Sequence, residues 1–291
     1  MRRCILLTML VISLPACSLF PKSGGYFEDD GPGDRRPADI SNIPDAVPRD
    51  EATSASGNRP YLVRGKMYYP LRDATGYRKR GVASWYGKKF HGRRTANGEI
   101  YDMYAMTAAH KTLPLPSYVR VRNLHNNRSA IVRVNDRGPF LQNRLIDLSY
   151  AAASKLGIVG SGTGVVEVEA VSPNESKKQV AEAPAIEVIS SASAASPPAE
   201  TEVPVMPRLF LQVGAFTEWN NASNLRIRME RAGFRPIFVQ SVLIQSPMGE
   251  SKKQTRIYRI RIGPLANVEE ADLLAEQVAE HGIYDALIIV E

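Results

Sequence analysis

The chain has 291 residues, 44% of them apolar and 23% charged, with 37 Lys and Arg against 30 Asp and Glu. That length provides for about two domains, and the apolar share excludes a chain disordered throughout. The only cysteines are Cys4 and Cys17. If Cys4 is lost with a leader, a disulfide framework and a Cys-based metal site are both excluded.

The N-terminus reads as such a leader. Met1-Arg2-Arg3 is followed by an apolar run from Ile5 to Leu14 and then by Leu14-Pro15-Ala16-Cys17, the pattern of an export signal ending in a lipobox. The run is too short to span a bilayer. Residues 1–16 are expected to be removed and Cys17 to be lipidated. Ser18 after it, in place of Asp, favours sorting to an outer membrane. Residues 17–76, rich in Pro, Gly, Asp and Arg, show no sustained apolar period and read as a disordered tether.

Residues 77–171 hold 15 basic and 6 acidic residues, a net +9, which points to a polyanionic ligand for this segment. Nucleic acid is not expected as that ligand, since an exported protein rarely meets it. Residues 118–124 and 129–134 alternate apolar and polar about the turn Asn126-Asn127-Arg128, residues 148–156 read as a short helix stopped by Gly157, and residues 165–171 read as a strand. The pattern fits a small closed β-barrel with short helices. Gly160-Ser161-Gly162-Thr163-Gly164 precedes a strand and does not lead from one into a helix, so it is no nucleotide loop.

Within this segment stand Ser84-Trp85-Tyr86-Gly87, Phe90-His91-Gly92, Thr95-Ala96-Asn97-Gly98-Glu99, Ala108-Ala109-His110-Lys111 and Asn135-Asp136-Arg137-Gly138-Pro139-Phe140. Glu99 and Asp136 each sit at a Gly or Pro turn beside an apolar strand. They read as an acid/base pair at the mouth of a groove, against the plainer alternative of turn residues bonding their own backbone. His110, a lone His among Ala residues, is more readily a hydrogen-bonded structural residue. Trp85, Tyr86, Tyr101 and Phe140 offer aromatic faces suited to sugars. His91, His110 and His125 lack any ligand spacing, so neither a metal nor another cofactor is expected.

Residues 172–206, rich in Ala, Ser, Pro and Glu and without aromatics, read as a disordered linker that leaves the flanking domains independent. Beyond it the order strand (209–216), helix (Ala222, Leu225 and Met229 on one face), strands (236–244 and 256–262), helix (Asn267 and Glu270 as its cap) and strand (284–290) makes a βαββαβ, α+β domain over residues 207–291. Period two puts Ile257, Arg259 and Arg261 on the outward face.

Taken in order from about Gly81 to Val171, the motifs resemble the double-psi β-barrel domain of the rare lipoprotein A family, whose studied members include lytic transglycosylases of the bacterial cell wall. The resemblance implies a six-stranded double-psi barrel with Glu99, Asp136 and His110 as its catalytic residues and Trp85, Tyr86, Asn97 and Arg137 as substrate-binding residues. Leu211-Gln212-Val213-Gly214-Ala215-Phe216 and Tyr258-Arg259-Ile260-Arg261-Ile262-Gly263-Pro264 resemble the SPOR domain, which binds peptide-stripped glycan at the division septum. Its binding positions carry over to Gln212, Ala215, Ile257 and Arg259. Many SPOR domains have Ser where Ala215 stands and an aromatic where Ile257 stands, departures that bear on affinity.

The implied activity is that of an endolytic lyase. It would cut the N-acetylmuramic acid to N-acetylglucosamine bond of denuded peptidoglycan strands and leave 1,6-anhydro ends. Asp136 is assigned the proton transfers and Glu99 the stabilisation of positive charge, the reverse assignment staying open, while His110 orients one of them or binds substrate. Arg93, Arg94, Arg120, Arg122, Arg133 and Arg137 are expected to pair with the lactyl carboxylates of such strands. The expected place is the periplasmic face of the outer membrane, held there by Cys17 and enriched at the septum. Division or amidase proteins as partners are not specified by the sequence. The competing class is a non-catalytic glycan-binding lipoprotein that tethers outer membrane to septal wall.

Overall fold

The structure, a computed structural model, describes residues 30–33, 40–141, 143–173, 207–245 and 254–291. The leader, Cys17 and most of the expected linker lie outside the described residues. Among the described residues no helix is long and apolar enough to cross a membrane.

Six strands close into the expected barrel: β3 (Arg78–Tyr86), β4 (Thr107–His110), β5 (Ser117–Asn123), β6 (Ser129–Asp136), β7 (Ile146–Ser149) and β8 (Gly164–Ala170), in the order β3-β7-β4-β6-β5-β8. Two contacts, β3 with β7 and β4 with β6, are parallel and the rest antiparallel. Alternation explains the core, since Val119, Val121, Val132, Val134, Val166 and Val168 all point inward and are fully buried. Helix α1 (Tyr150–Leu156) begins two residues later than expected because Leu148 and Ser149 complete β7. Ser149 accepts a bond from Ala152 N at 3.1 Å, and Gly157, at φ +72°, closes the other end in the left-handed conformation that favours glycine.

The expectation of a disordered tether up to residue 76 does not hold for residues 40–76. A short 3-10 turn (Ile40–Asn42) and a hairpin of β1 (Tyr61–Val63) and β2 (Lys66–Tyr68) belong to a strap laid over the barrel. Composition misleads here because the strap builds no core of its own. Ile40, Ile43, Ala46 and Ala74 are packed against the barrel's core instead. Its polar groups are satisfied by barrel backbone: Asp45 accepts from Ile131 N at 3.0 Å, and Asn58 exchanges two 2.8 Å bonds with the backbone of Leu115. Lys155 fastens Asp45 from α1 at 2.6 Å.

On the barrel's outer wall Glu167 gathers Arg78, Arg80 and Arg122 at 2.9, 3.0 and 2.9 Å. Burial opposes its ionisation, but the three guanidinium bonds override burial and hold its carboxyl at about 2.

The second sheet contains β9 (Leu209–Phe216), β10 (Ile237–Gln245), β11 (Gln254–Leu265) and β12 (Leu287–Val290) in the antiparallel order β10-β11-β9-β12. Helices α2 (Trp219–Arg231) and α3 (Val268–Glu280) contribute Ala222, Leu225, Met229 and Val278 to a core shared with Leu211, Ile260 and Ile262. Asn267 accepts from Glu270 N at 2.8 Å while Glu270 reaches back to Ala266 N, the reciprocal cap expected for α3. The two sheets are not independent in this structure. Val82, facing out from β3, is buried against Leu209 and Val268, and Arg144 forks onto Asp272 at 3.1 and 2.6 Å.

An ordered strap has a direct consequence for proteolysis. Brief digestion of the exported protein is expected to leave an N-terminal boundary at or before residue 40, and a stable barrel fragment starting near residue 77 would show that the strap is not held.

Candidate functional site

Asp136 closes β6, and the turn 95–99 is fastened onto that strand end. Asp136 Oδ1 accepts from Ala96 N at 2.8 Å and from Arg137 N at 2.7 Å. Within the turn, Thr95 N donates to Glu99 O at 2.8 Å, and Gly98 takes φ +96°, which a side chain would strain. Glu99 is then gripped three times: by Asn97 Nδ2 at 2.8 Å, Asn135 Nδ2 at 2.9 Å and Arg133 Nη1 at 2.7 Å. The fold therefore brings Glu99 and Asp136, 37 residues apart in sequence, to one corner.

Their environments push the two carboxyls in opposite directions. Burial raises Asp136 above the ordinary range, against two backbone N–H bonds and the charge of Arg137. The Arg133 bond lowers Glu99, aided by Asn135 and Asn97 and opposed by partial burial. A carboxyl biased toward holding its proton beside one biased toward ionisation is the division that acid/base chemistry with a cationic intermediate needs.

Other expected site residues turn out to hold the corner in place. His110 is buried, its Nδ1 accepts from Thr112 N at 3.1 Å and Leu113 N at 2.9 Å, and its Nε2 meets the Tyr77 hydroxyl at 2.9 Å. Two N–H bonds onto Nδ1 require a neutral ring with its proton on Nε2, consistent with burial pulling its pKa to about 3. Both nitrogens are thus committed within the protein, and His110 orders the loop after β4. Asn97 likewise spends its amide on the turn, accepting from Thr95 Oγ1 at 2.7 Å and binding Glu99.

Arg137 is also corrected. Its Nε and Nη2 donate to Gly57 O at 3.0 and 2.8 Å, Nη2 also donates to Asn58 Oδ1 at 3.0 Å, and Nη1 serves His110 O and Leu113 O. All five donor directions are aimed at protein acceptors, so it is no substrate carboxylate clamp. Arg133 is shared between Glu99 and Glu51, and Arg122 is committed to Glu167. Arg93 and Arg94 lie exposed beside the turn, Arg94 with one bond from Nη1 to Gly98 O at 3.0 Å and Arg93 over the Phe90 ring.

The aromatic expectation divides. Tyr86 and Tyr101 are buried and stacked on one another at 4.1 Å, with the Tyr101 hydroxyl donating to Tyr86 O at 2.6 Å, so neither face is open to a sugar. Trp85 is half-buried and tilted against Tyr150. Phe140 is half-buried and meets two residues that sequence reasoning passed over, Tyr61 and Tyr68 of the strap hairpin, at 6.1 and 5.8 Å. Glu51 of the strap was missed as well, though it holds Arg133 with a bidentate pair at 2.9 and 2.7 Å. The available signal was the Tyr-rich, Gly-turned run from Tyr61 to Tyr69.

In the second sheet Ala215 lies opposite Arg259 and Gln212 opposite Arg261. A shift in register between these pairs is what lets residues three apart share a face. Ile257 follows two residues before Arg259 on β11 and is half-buried. Arg261 takes the outward face, as expected, but is buried there and paired with Glu291.

Among families, the model described as lytic transglycolase matches residues 78–169 and the SPOR domain model matches residues 207–289. The endolytic peptidoglycan transglycosylase RlpA of Pseudomonas aeruginosa strain UCBPP-PA14 is 42% identical, over 85% of this chain and 84% of its own. The protein of the same name from Vibrio cholerae is 40% identical, over 83% of this chain and 98% of its own. A crystal structure of the RlpA SPOR domain from Pseudomonas aeruginosa aligns with 28% of this chain and 96% of its own at 24% identity, with a TM-score of 0.23.

Because the Arg137 side chain satisfies acceptors from two segments, the strap and the loop after β4, Arg137→Ala is expected to lower unfolding stability by roughly 2–4 kcal/mol, the scale of several non-additive charge-assisted bonds. Arg137→Lys, lacking the planar fork, should recover only part of it. Urea unfolding of the variants checks this, and a loss under about 0.5 kcal/mol for Arg137→Ala would contradict the assignment.

Proposed function

Since the chain belongs to the rare lipoprotein A (RlpA) family, we propose that it is a lytic transglycosylase that cleaves glycan strands of peptidoglycan between N-acetylmuramic acid and N-acetylglucosamine. The observation that carries this reading is the opposed bias of Asp136 and Glu99 at one corner. Cleavage needs a proton on the leaving O4 as the C1–O4 bond breaks, and a base for the proton of the muramic C6 hydroxyl as O6 closes onto C1. Because that hydroxyl belongs to the same sugar, no water has to be positioned. Asp136 is the carboxyl suited to exchange protons with these oxygens. Glu99, held ionised by Arg133, faces the oxocarbenium-like charge.

The preferred substrate is a peptide-stripped strand, whose lactyl carboxylates suit the exposed Arg93 and Arg94. The aromatic side chains Phe140, Tyr61 and Tyr68, packed next to Arg137, suit sugar faces. The SPOR face around Gln212, Ala215, Ile257 and Arg259 would direct the enzyme to such strands at the septum, and a lipidated Cys17 would hold it at the outer membrane.

Products from purified denuded glycan are expected to carry 1,6-anhydromuramic ends by mass spectrometry. Asp136→Asn should fold and lose roughly 10²-fold or more of the rate, with Glu99→Gln also strongly impaired. Reducing ends alone would identify a hydrolase, and a folded wild type that cuts nothing would favour a tethering protein.

Placement is read by imaging and fractionation of exported fluorescent fusions. Arg259→Ala should weaken septal enrichment and keep the protein with the membrane. Cys17→Ala should release it into the soluble fraction. Unchanged distributions would remove the respective assignment.

A further inference from the structure

The ladder register sets four side chains in one row across the barrel wall. Ser84 of β3 pairs with Asp147 of β7, Asp147 with Ala109 of β4, and Ala109 with Asp136 of β6. Residues paired across a ladder point to the same side. Ala83, Ile146, Leu148 and Ala108, each one residue from a member of the row, point into the barrel core, so the row faces outward, and a register shift after Val134 turns Asp136 out to join it although Val134 itself points in. Asp136 therefore shares its face with a second carboxyl, separated from it only by the methyl group of Ala109.

Two strand spacings put the backbones of Asp136 and Asp147 about 10 Å apart. The chain leaving Asp136 then folds back over the gap. A Cβ placed on Gly138 would stand 3.8 Å from Asp147 Oδ2 and 3.9 Å from the Ala109 methyl. The glycine leaves Asp147 uncovered from this side, and its φ of +138° disfavours any side chain at the position. Carboxyl pairs that flank a glycosidic bond are spaced at about 5 to 9.5 Å.

Asp147 is only partly accessible and is held in place by the Ser84 hydroxyl, which bonds its Oδ1. The charged and titratable groups that face it are Arg144, Lys111 and Asp136, with the phenols of Tyr86 and Tyr101. Two of the cations are committed elsewhere: Lys111 donates to Arg144 O at 2.8 Å, and Arg144 forks onto Asp272.

We propose that Asp147 is a further catalytic residue, the acid that hands its proton to the leaving O4, while Asp136 is the base that takes the proton of the C6 hydroxyl. This rests on the transglycosylase reading and divides its proton cycle between two groups. The C1–O4 bond breaks as Asp147 protonates O4, the O6–C1 bond forms, and the hydroxyl proton ends on Asp136. Exchange with water at the cleft restores both groups. Burial pushes Asp147 up to about 6, against the Ser84 bond and the charges of Arg144 and Lys111 and with that of Asp136. Burial raises Asp136 as well, but two backbone N–H bonds on its Oδ1 and the charge of Arg137 oppose the rise.

The test uses the full exported chain and two substrates, purified denuded glycan and a muramic acid oligosaccharide whose leaving group is a nitrophenolate that needs no protonation. Asp147→Asn is expected to lose roughly 10²-fold or more on glycan and to stay within about tenfold of wild type on the activated substrate. Asp136→Asn should be poor on both. Equal losses on both substrates by Asp147→Asn, or glycan cleavage within a few-fold of wild type, would overturn the acid role. Ser84→Ala supplies a second reading, because removing a bond that favours the ionised carboxylate should move the fall in wild-type activity above about pH 6 to higher pH. An unmoved limb would count against Asp147 as its source. Wild type that makes no anhydro ends would sink the transglycosylase reading itself, an outcome separate from any result on Asp147.

Discussion

The guanidinium of Arg137 is the constraint on which the site depends. It lies one residue past Asp136 and is bonded to the strap at Gly57 and Asn58 and to the loop after β4 at His110 and Leu113. Three pieces of chain remote in sequence meet on one planar cation, whose five donors fix their mutual angles as a flexible ammonium would not. His110 completes the arrangement by ordering the same loop through its ring while its carbonyl receives Arg137. The backbone N–H of Arg137 meanwhile bonds Asp136 directly. Positioning of the reactive carboxyl and closure of the strap are thus one event.

Around that pivot the charges sort into a structural and a reactive set. Four of the barrel's arginines are held by acids, three on the single carboxylate of Glu167 and Arg133 between Glu51 and Glu99. Of these acids only Glu51 lies outside residues 77–171, so the positive excess of that segment is fixed in place more than it is removed. The groups left with a distinctive bias are the acids: Glu99 pulled down by its arginine, and Asp136 and Asp147 pushed up by burial.

Much of the fold was legible in the sequence. Alternating apolar residues in β5 and β6, the Gly157 stop of α1 and the Asn267 cap are local signals, and each formed as its chemistry requires. The βαββαβ order of the second domain was equally plain. What escaped was non-local. Nothing about a Tyr in Ser84-Trp85-Tyr86-Gly87 tells whether it meets a ligand or, as here, another Tyr fifteen residues on. His110 and Arg137 carry residue types common in active sites, and only the fold reveals that backbone groups, with the side chains of Tyr77 and Asn58, use all their capacity. The shared face of Gln212 and Ala215 runs against period two, because a bulge is invisible to a pattern count. The strap failed as a prediction for a related reason: a polar segment needs no hydrophobic period when it borrows another domain's core.

That borrowed anchorage has a mechanical corollary. Glu51 lies in the strap and holds Arg133, which in turn holds Glu99, while Asn58 and Gly57 hold Arg137 beside Asp136. A load entering the chain from its N-terminal side meets first the bonds of Asp30 and Gly31 to the backbone of residues 87–89, then the Asp45 contacts and then these linkages. A molecule fixed at its N-terminal end and gripping wall at its other end would feel tension across the cleft itself, not along an idle leash. Stretching that pulled Glu51 from Arg133 would loosen the clamp on Glu99 well before the barrel came apart.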